Sequence, residues 1–199
     1  MKKEALIILT KNPKAGKAKT RLAATIGDER ALAVYHQLLL HTASVTKCLP
    51  IDKFVFYSDY MVHEDVWENK CFHKEIQHGA DLGERMKNAF TSVFQKGYTR
   101  IAIIGTDCPE LNEELITSAF FLLPENDIVI GPAEDGGYYL LAMTHLHMKL
   151  FTNIQWSTSH VLMETVQICN TLELKYQFLP VLNDIDEEND LLKFNLKNK

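Results

Sequence analysis

Four apolar residues in a row, Ile101-Ala102-Ile103-Ile104, constrain this chain more than any other feature. A strand with one wet face alternates apolar and polar residues. A strand that is apolar throughout needs cover on both faces, which is the condition of a parallel strand inside an α/β sheet. Further strand-like runs occur at 5–9, 54–57, 128–130 and 138–143, with a last short one at 176–179. Helical periodicity separates them. Ala31, Val34, Tyr35, Leu38, Thr42 and Val45 share one face of a helix over 28–48, capped by Gly27-Asp28. Residues 82–95 read as a helix ended by Gly97. Asn112 caps a helix with Leu115, Ile116, Ala119, Phe120 and Leu123 on its stripe. Ser157 or Thr158 starts a helix running to about Cys169, and residues 187–196 close the chain as another. The stretch 59–78 is polar and carries no clear period. Alternation of this kind with short connections predicts one domain over 1–199. Its fold is a three-layer α/β/α, Rossmann-like arrangement with a mixed, mostly parallel sheet.

Composition removes several classes of function. The net charge of −5 does not suit a dedicated nucleic-acid binder, and no apolar run is long enough to span a membrane. Met1, Lys2 and Lys3 ahead of 5–9 faintly resemble a signal peptide, but the run stops at Thr10-Lys11, so it reads as a first strand. Cys48, Cys71, Cys108 and Cys169 form no CxxC pair and read as free thiols of a cytoplasmic protein. Nothing in the sequence sets an oligomeric state.

In open α/β sheets the ligand lies at the carboxyl ends of the strands, so the segments that follow strands carry the chemistry. After 5–9 come Lys11, Lys14, Lys17, Lys19 and Arg21 around Gly16, five cations in eleven positions. That is either a phosphate cradle or a solvated basic loop. It is not a Walker A loop, since GxxxxGK[ST] would need Gly at Lys11 and a hydroxyl at Ala18. After 101–104 comes Gly105-Thr106-Asp107-Cys108-Pro109. Asp107 there is either a Mg²⁺ ligand or a turn residue. After 128–130 comes Gly131-Pro132-Ala133-Glu134-Asp135-Gly136-Gly137, which allows either close ligand approach or a hairpin. Late in the chain Asp184 and Asp186 sit where alternation puts both on one side, to share a cation or to cap the last helix. His145 and His147 read as surface residues, and Cys108 has no histidine partner near it in sequence.

Six segments in this order resemble the GT-A-like nucleotide-diphospho-sugar transferase superfamily. They are 11–22 ending Lys19-Thr20-Arg21-Leu22, Gln77-His78-Gly79-Ala80-Asp81-Leu82-Gly83-Glu84-Arg85-Met86, 105–109, 131–141, Trp156-Ser157-Thr158, and Asp184-Ile185-Asp186 with Asp190-Leu191. The nearest likeness is to a bacterial glycosyltransferase-like group, the selenodomain-associated transferases. The first loop is also similar to that of 2-phospholactate guanylyltransferase-type nucleotidyltransferases.

The resemblance implies a donor nucleotide held through Lys11, Gly16, Lys17, Lys19 and Arg21, bordered by Gln77, Asp81 and Arg85. It implies Mg²⁺ (or Mn²⁺) on Asp107 with Asp184 or Asp186, and an acceptor side of Asp135, Gly136, Gly137 and Trp156. Asp107, Asp135, Lys19 and Arg21 are the implied catalytic residues. A GT-A glycosyltransferase carries a DxD motif, whereas only Asp107 stands here between Thr106 and Cys108. A single aspartate with a late acidic ligand resembles a nucleotidyltransferase, although the first loop lacks that group's Gly-rich signature and Arg-Met ending. The expected activity is therefore nucleotidyl transfer to a small acceptor, phosphorylated or not. Glycosyl transfer from a nucleotide sugar is the alternative, and a non-catalytic nucleotide- or sugar-binding protein is the third.

Overall fold

The computed structural model describes residues 3–197; Met1 and Lys2 of the basic N-terminal start lie outside them. The sheet is built from β1 (Glu4–Thr10), β2 (Asp52–Tyr57), β3 (His73–Ile76), β4 (Arg100–Ile104), β5 (Ile128–Pro132), β6 (Tyr138–Met143) and β7 (Tyr176–Phe178), in the order β3-β2-β1-β4-β6-β5-β7. The helices are α1 (Thr20–Ile26), α2 (Asp28–Lys47), α3 (Leu82–Gln95), α4 (Glu113–Leu122), α5 (Val161–Thr171) and α6 (Glu188–Lys197).

The two faces of the sheet follow from the period-two alternation of the strands. Leu6, Ile8, Val55, Ala102 and Ile104 point toward Tyr35, Leu39 and Ala43 of α2 and Ile116, Ala119 and Phe120 of α4. Ala5, Ile7, Phe54, Phe56, Ile101 and Ile103 point the other way, toward Met86, Phe90 and Val93 of α3 and Cys169 of α5. The result is the three-layer, mostly parallel arrangement, with β6 running antiparallel to both neighbours. The apolar run of β4 has the cover it requires on both faces, although only β1 pairs with it in parallel. No helix among the described residues is long and apolar enough to cross a membrane.

Several local expectations are corrected. Residues 11–22 are not loop throughout, because Thr20, Arg21 and Leu22 begin α1. The polar stretch 59–78 contains the edge strand β3, whose exposed edge and half-buried side chains suppress any apolar signal. Gly131 and Pro132 belong to β5, so the hairpin loop is only 133–137, closed by Ala133 N–H to the Gly137 carbonyl at 3.1 Å. Helix α5 starts from His160; Thr158 instead donates to the Gln155 carbonyl at 2.7 Å. His145 and His147 lie beyond the end of β6, and His147 is half-buried.

Candidate functional site

Strands β2 and β4 leave β1 on opposite sides, so the chain reverses its winding between β1 and β4. The carboxyl ends of two neighbouring strands open a crevice at such a reversal. A cleft of about 770 Å³ lies there. It collects Lys11, Lys19 and Arg21 from beyond β1, and Gln77, Asp81 and Arg85 from the entry to α3. Asp107 after β4, Asp135 and Gly137 from the hairpin, Trp156, and Asp184 and Asp186 complete the expected residues within it.

Three expected residues fall outside the cleft wall. Lys17 is exposed, and Gly16 serves the turn in which Lys17 N–H bonds to the Lys14 carbonyl at 3.0 Å. Gly136 packs the hairpin onto the start of α5. At its φ of 88° a Cβ would lie 2.2 Å from the Ser159 carbonyl oxygen, so only glycine fits.

Lys19 is the centre of the arrangement. It is the N-cap of α1 with φ 53° and ψ 48°, a left-handed conformation that costs a lysine energy and marks a constrained position. Only 7% of it is exposed. Its ammonium lies 2.8 Å from Asp107 Oδ1 and 3.1 Å from Asp186 Oδ1, and donates to the Ile185 carbonyl. Burial opposes the charge on Lys19, but Asp107 and Asp186 outweigh it and hold its pKa above the ordinary lysine value. Arg21, on the first turn of α1, reaches the other oxygen of Asp186 at 3.5 Å.

The acidic side is brought up by the segment after β7. Leu182 forms a bridge with Ala133, and Ile185 N–H donates to the Asp107 carbonyl at 2.9 Å. These bonds place Asp184 and Asp186 beside Asp107, although they stand 77 and 79 positions away in sequence. Oδ1 of Asp184 is buried without a hydrogen-bond partner. Burial, and then the neighbouring Asp107, push the Asp184 carboxyl up to about 7. A buried, unpaired carboxylate oxygen among other carboxylates is a costly arrangement that a hard divalent cation would relieve. Asp107, Asp184 and Asp186 supply the hard oxygen donors that Mg²⁺ or Mn²⁺ takes, but with the Lys19 ammonium between Asp107 and Asp186 no group of three such residues is spaced to hold a metal ion among the described residues.

Other expected residues carry structural bonds as well. Gln77 Nε2 donates to the Thr10 and Phe56 carbonyls at 3.0 and 2.8 Å, tying the ends of β1 and β2 together. Asp81 caps α3 by accepting from Glu84 N–H at 2.8 Å. Arg85 Nε donates to the Gly79 carbonyl at 3.2 Å. Asp135 accepts from Gly137 N–H at 2.9 Å and stands exposed. The Trp156 indole lies against Gly83, where a Cβ would come within 2.1 Å of Nε1.

The sequence reading missed Tyr35. Its hydroxyl accepts from Lys11 N–H at 2.9 Å, donates to the Lys11 carbonyl at 3.0 Å, and lies 3.3 Å from Thr106 Oγ1. It thus joins the start of the basic loop to the residue preceding Asp107. Its apolar neighbours on the α2 stripe disguised it as plain core.

The seven-stranded, mostly parallel sheet with its helices is the nucleotide-diphospho-sugar transferase fold. A Desulfovibrio desulfuricans G20 protein, provisionally named a nucleotide-diphospho-sugar transferase, is 30% identical over 100% of this chain and 89% of its own, with a TM-score of 0.92. The chain belongs to the DUF2064 family, described as uncharacterized protein conserved in bacteria, whose profile matches residues 41–158. That span includes Asp107, Asp135 and Trp156 but neither Lys19 nor Asp184 and Asp186. More distant structures share the fold. A cytidylyltransferase of Leptospira borgpetersenii matches at 14% identity over 100% of this chain and 88% of that one, with a TM-score of 0.64. A Mycobacterium tuberculosis H37Rv protein in complex with manganese matches at 11% over 96% and 97%, with a TM-score of 0.57. No curated protein matches this chain in sequence.

Proposed function

We propose that the whole chain, 1–199, acts as one cytoplasmic, divalent-metal-dependent transferase domain that moves a nucleotidyl group from a nucleoside triphosphate to a small acceptor. The observation that carries this reading is the buried Lys19 ammonium, clamped between Asp107 and Asp186 in the lining of the cleft. Asp107 with Asp184 or Asp186 would hold the Mg²⁺ or Mn²⁺, which neutralises charge on the phosphate oxygens when bound. Lys19 and Arg21 stabilise the charge that develops on the departing pyrophosphate. Lys11 guides the phosphate tail. The wall of Asp135, Gly137 and Trp156 orients the acceptor for in-line attack on the α-phosphorus. Catalysis by positioning and electrostatics requires no covalent nucleophile, and Cys108 suits none: it is buried, and burial raises its thiol well above the ordinary range. The four cysteines are free, as a reducing compartment would keep them.

Glycosyl transfer from a nucleotide sugar is the second reading, favoured by the name given to the Desulfovibrio relative. Asp135 would then act as base or sugar ligand. A thermal-shift screen of nucleoside triphosphates against nucleotide sugars, with and without Mg²⁺, separates the two. A metal-dependent shift with a triphosphate, absent in Asp107→Asn, supports nucleotidyl transfer. A shift with a nucleotide sugar alone transfers the assignment, and no shift with either class refutes both.

A further inference from the structure

The three donors of the Lys19 ammonium are all spent. One goes to Asp107, one to Asp186 and one to the Ile185 carbonyl. The same pocket offers a further buried oxygen, Asp184 Oδ1, that has no partner. An ammonium with three donors therefore serves a cluster of oxygens larger than it can satisfy. A divalent cation takes six or more oxygen ligands, yet with Lys19 in this position no three carboxylates are spaced to hold one among the described residues. Lys19 also holds a left-handed backbone conformation, so its present position is maintained against strain.

We propose that Lys19 determines how the site loads: its ammonium holds the cation position between Asp107 and Asp186, and polyphosphate must draw it away before metal can bind. The proposal rests on the nucleotidyltransferase reading and gives that site a binding order. Metal alone meets a resident positive charge on both carboxylates. The anionic tail of a nucleotide offers Lys19 a new partner, and Arg21, already bonded to Asp186 from the exposed side, stands beside it. Metal and polyphosphate then bind with positive cooperativity, each removing an obstacle to the other.

The test uses Mn²⁺ as metal and inorganic pyrophosphate as the base-independent polyphosphate. Free Mn²⁺ is followed by its electron paramagnetic resonance signal, and protein-bound Mn²⁺ by water-proton relaxation. Wild type is compared with Lys19→Met and Lys19→Gln. If the metal-ready state of the empty wild-type site is populated at about 10% or less, removing the ammonium tightens Mn²⁺ binding about tenfold or more. Pyrophosphate should strengthen Mn²⁺ binding by wild type and have little effect on the variants. Should either variant unfold for want of a charge between its carboxylates, Mn²⁺ is expected to restore its melting transition. The proposal is overturned by variants that bind Mn²⁺ no more tightly than wild type, or that Mn²⁺ does not restore. If wild type still takes up Mn²⁺ with pyrophosphate in that case, the transferase reading survives. If no protein binds Mn²⁺ under either condition, both fall.

Discussion

Asp184→Asn is expected to stabilise the metal-free protein at alkaline pH. The wild-type carboxyl titrates at about 7 in the folded state against 3.8 when unperturbed, because it is buried and faces Asp107. Below 3.8 it is protonated in both states and contributes nothing. Between the two values the folded protein keeps a proton that the unfolded chain releases, so stability falls as pH rises through this window. Above 7 the whole cost of burying the charge is present, roughly three pH units at about 1.4 kcal/mol each, or about 4 kcal/mol. Asparagine keeps the shape and carries no charge. In EDTA the variant should match wild type within about 1 kcal/mol near pH 4 and exceed it by up to about 4 kcal/mol at pH 8. For a chain of this size that corresponds to a rise of about 8–16 °C in melting temperature. Thermal melts at the two pH values measure the gap. Saturating Mn²⁺ together with pyrophosphate should reverse the order at pH 8, because wild type then holds a counter-charge that asparagine binds poorly. A variant that melts below wild type at pH 8 without metal, or by the same margin at both pH values, would refute the reasoning.

Asp107→Asn should abolish turnover while leaving the melting temperature within a few degrees, since Lys19 keeps Asp186; assay and melt are run on one preparation. Tyr35→Phe leaves Lys11 N–H without its acceptor, so urea denaturation should show a loss of about 1–3 kcal/mol, with weaker triphosphate binding by calorimetry. Gly83→Ala drives the Trp156 indole off the cleft wall; because Trp67 is only 1% exposed, the resulting change in tryptophan emission reports on Trp156. Asp81→Ala removes the cap of α3 and should cost about 1 kcal/mol in the same denaturation measurement.

The layers were legible because burial on both faces writes itself into sequence. Ile101 to Ile104 and the run 5–9 admit little other than covered strands. Strand β3 was not legible: it lies at the sheet edge, and three of its four residues, His73, Lys74 and Glu75, are polar. Helix α1 is seven residues long and starts from a left-handed lysine rather than a capping hydroxyl or carboxylate, so neither period nor cap announced it. The segments forming the cleft could be named from their positions after strands. Their pairing could not. Lys14, Lys17 and Lys19 look alike in sequence, and only the long-range contact with Asp107 and Asp186 selects one of them for burial. The competing readings of the late acidic segment also met, since Asp190 accepts from the N–H groups of Asp186 and Glu187 at 3.1 and 2.9 Å while Asp184 and Asp186 face the cleft.

The bridge between Leu182 and Ala133, with the Ile185 bond to Asp107 just after it, also sets a timetable. Synthesis delivers all seven strands before it delivers Asp184 or Asp186. A nascent chain can therefore bring β1 to β6 and the basic loop together before Asp184 and Asp186, two of the three clustered carboxylates, are free to join them. The late carboxylates complete the cleft last, so a chain cut short beyond β7 would lack Asp184 and Asp186 however much of the sheet it formed.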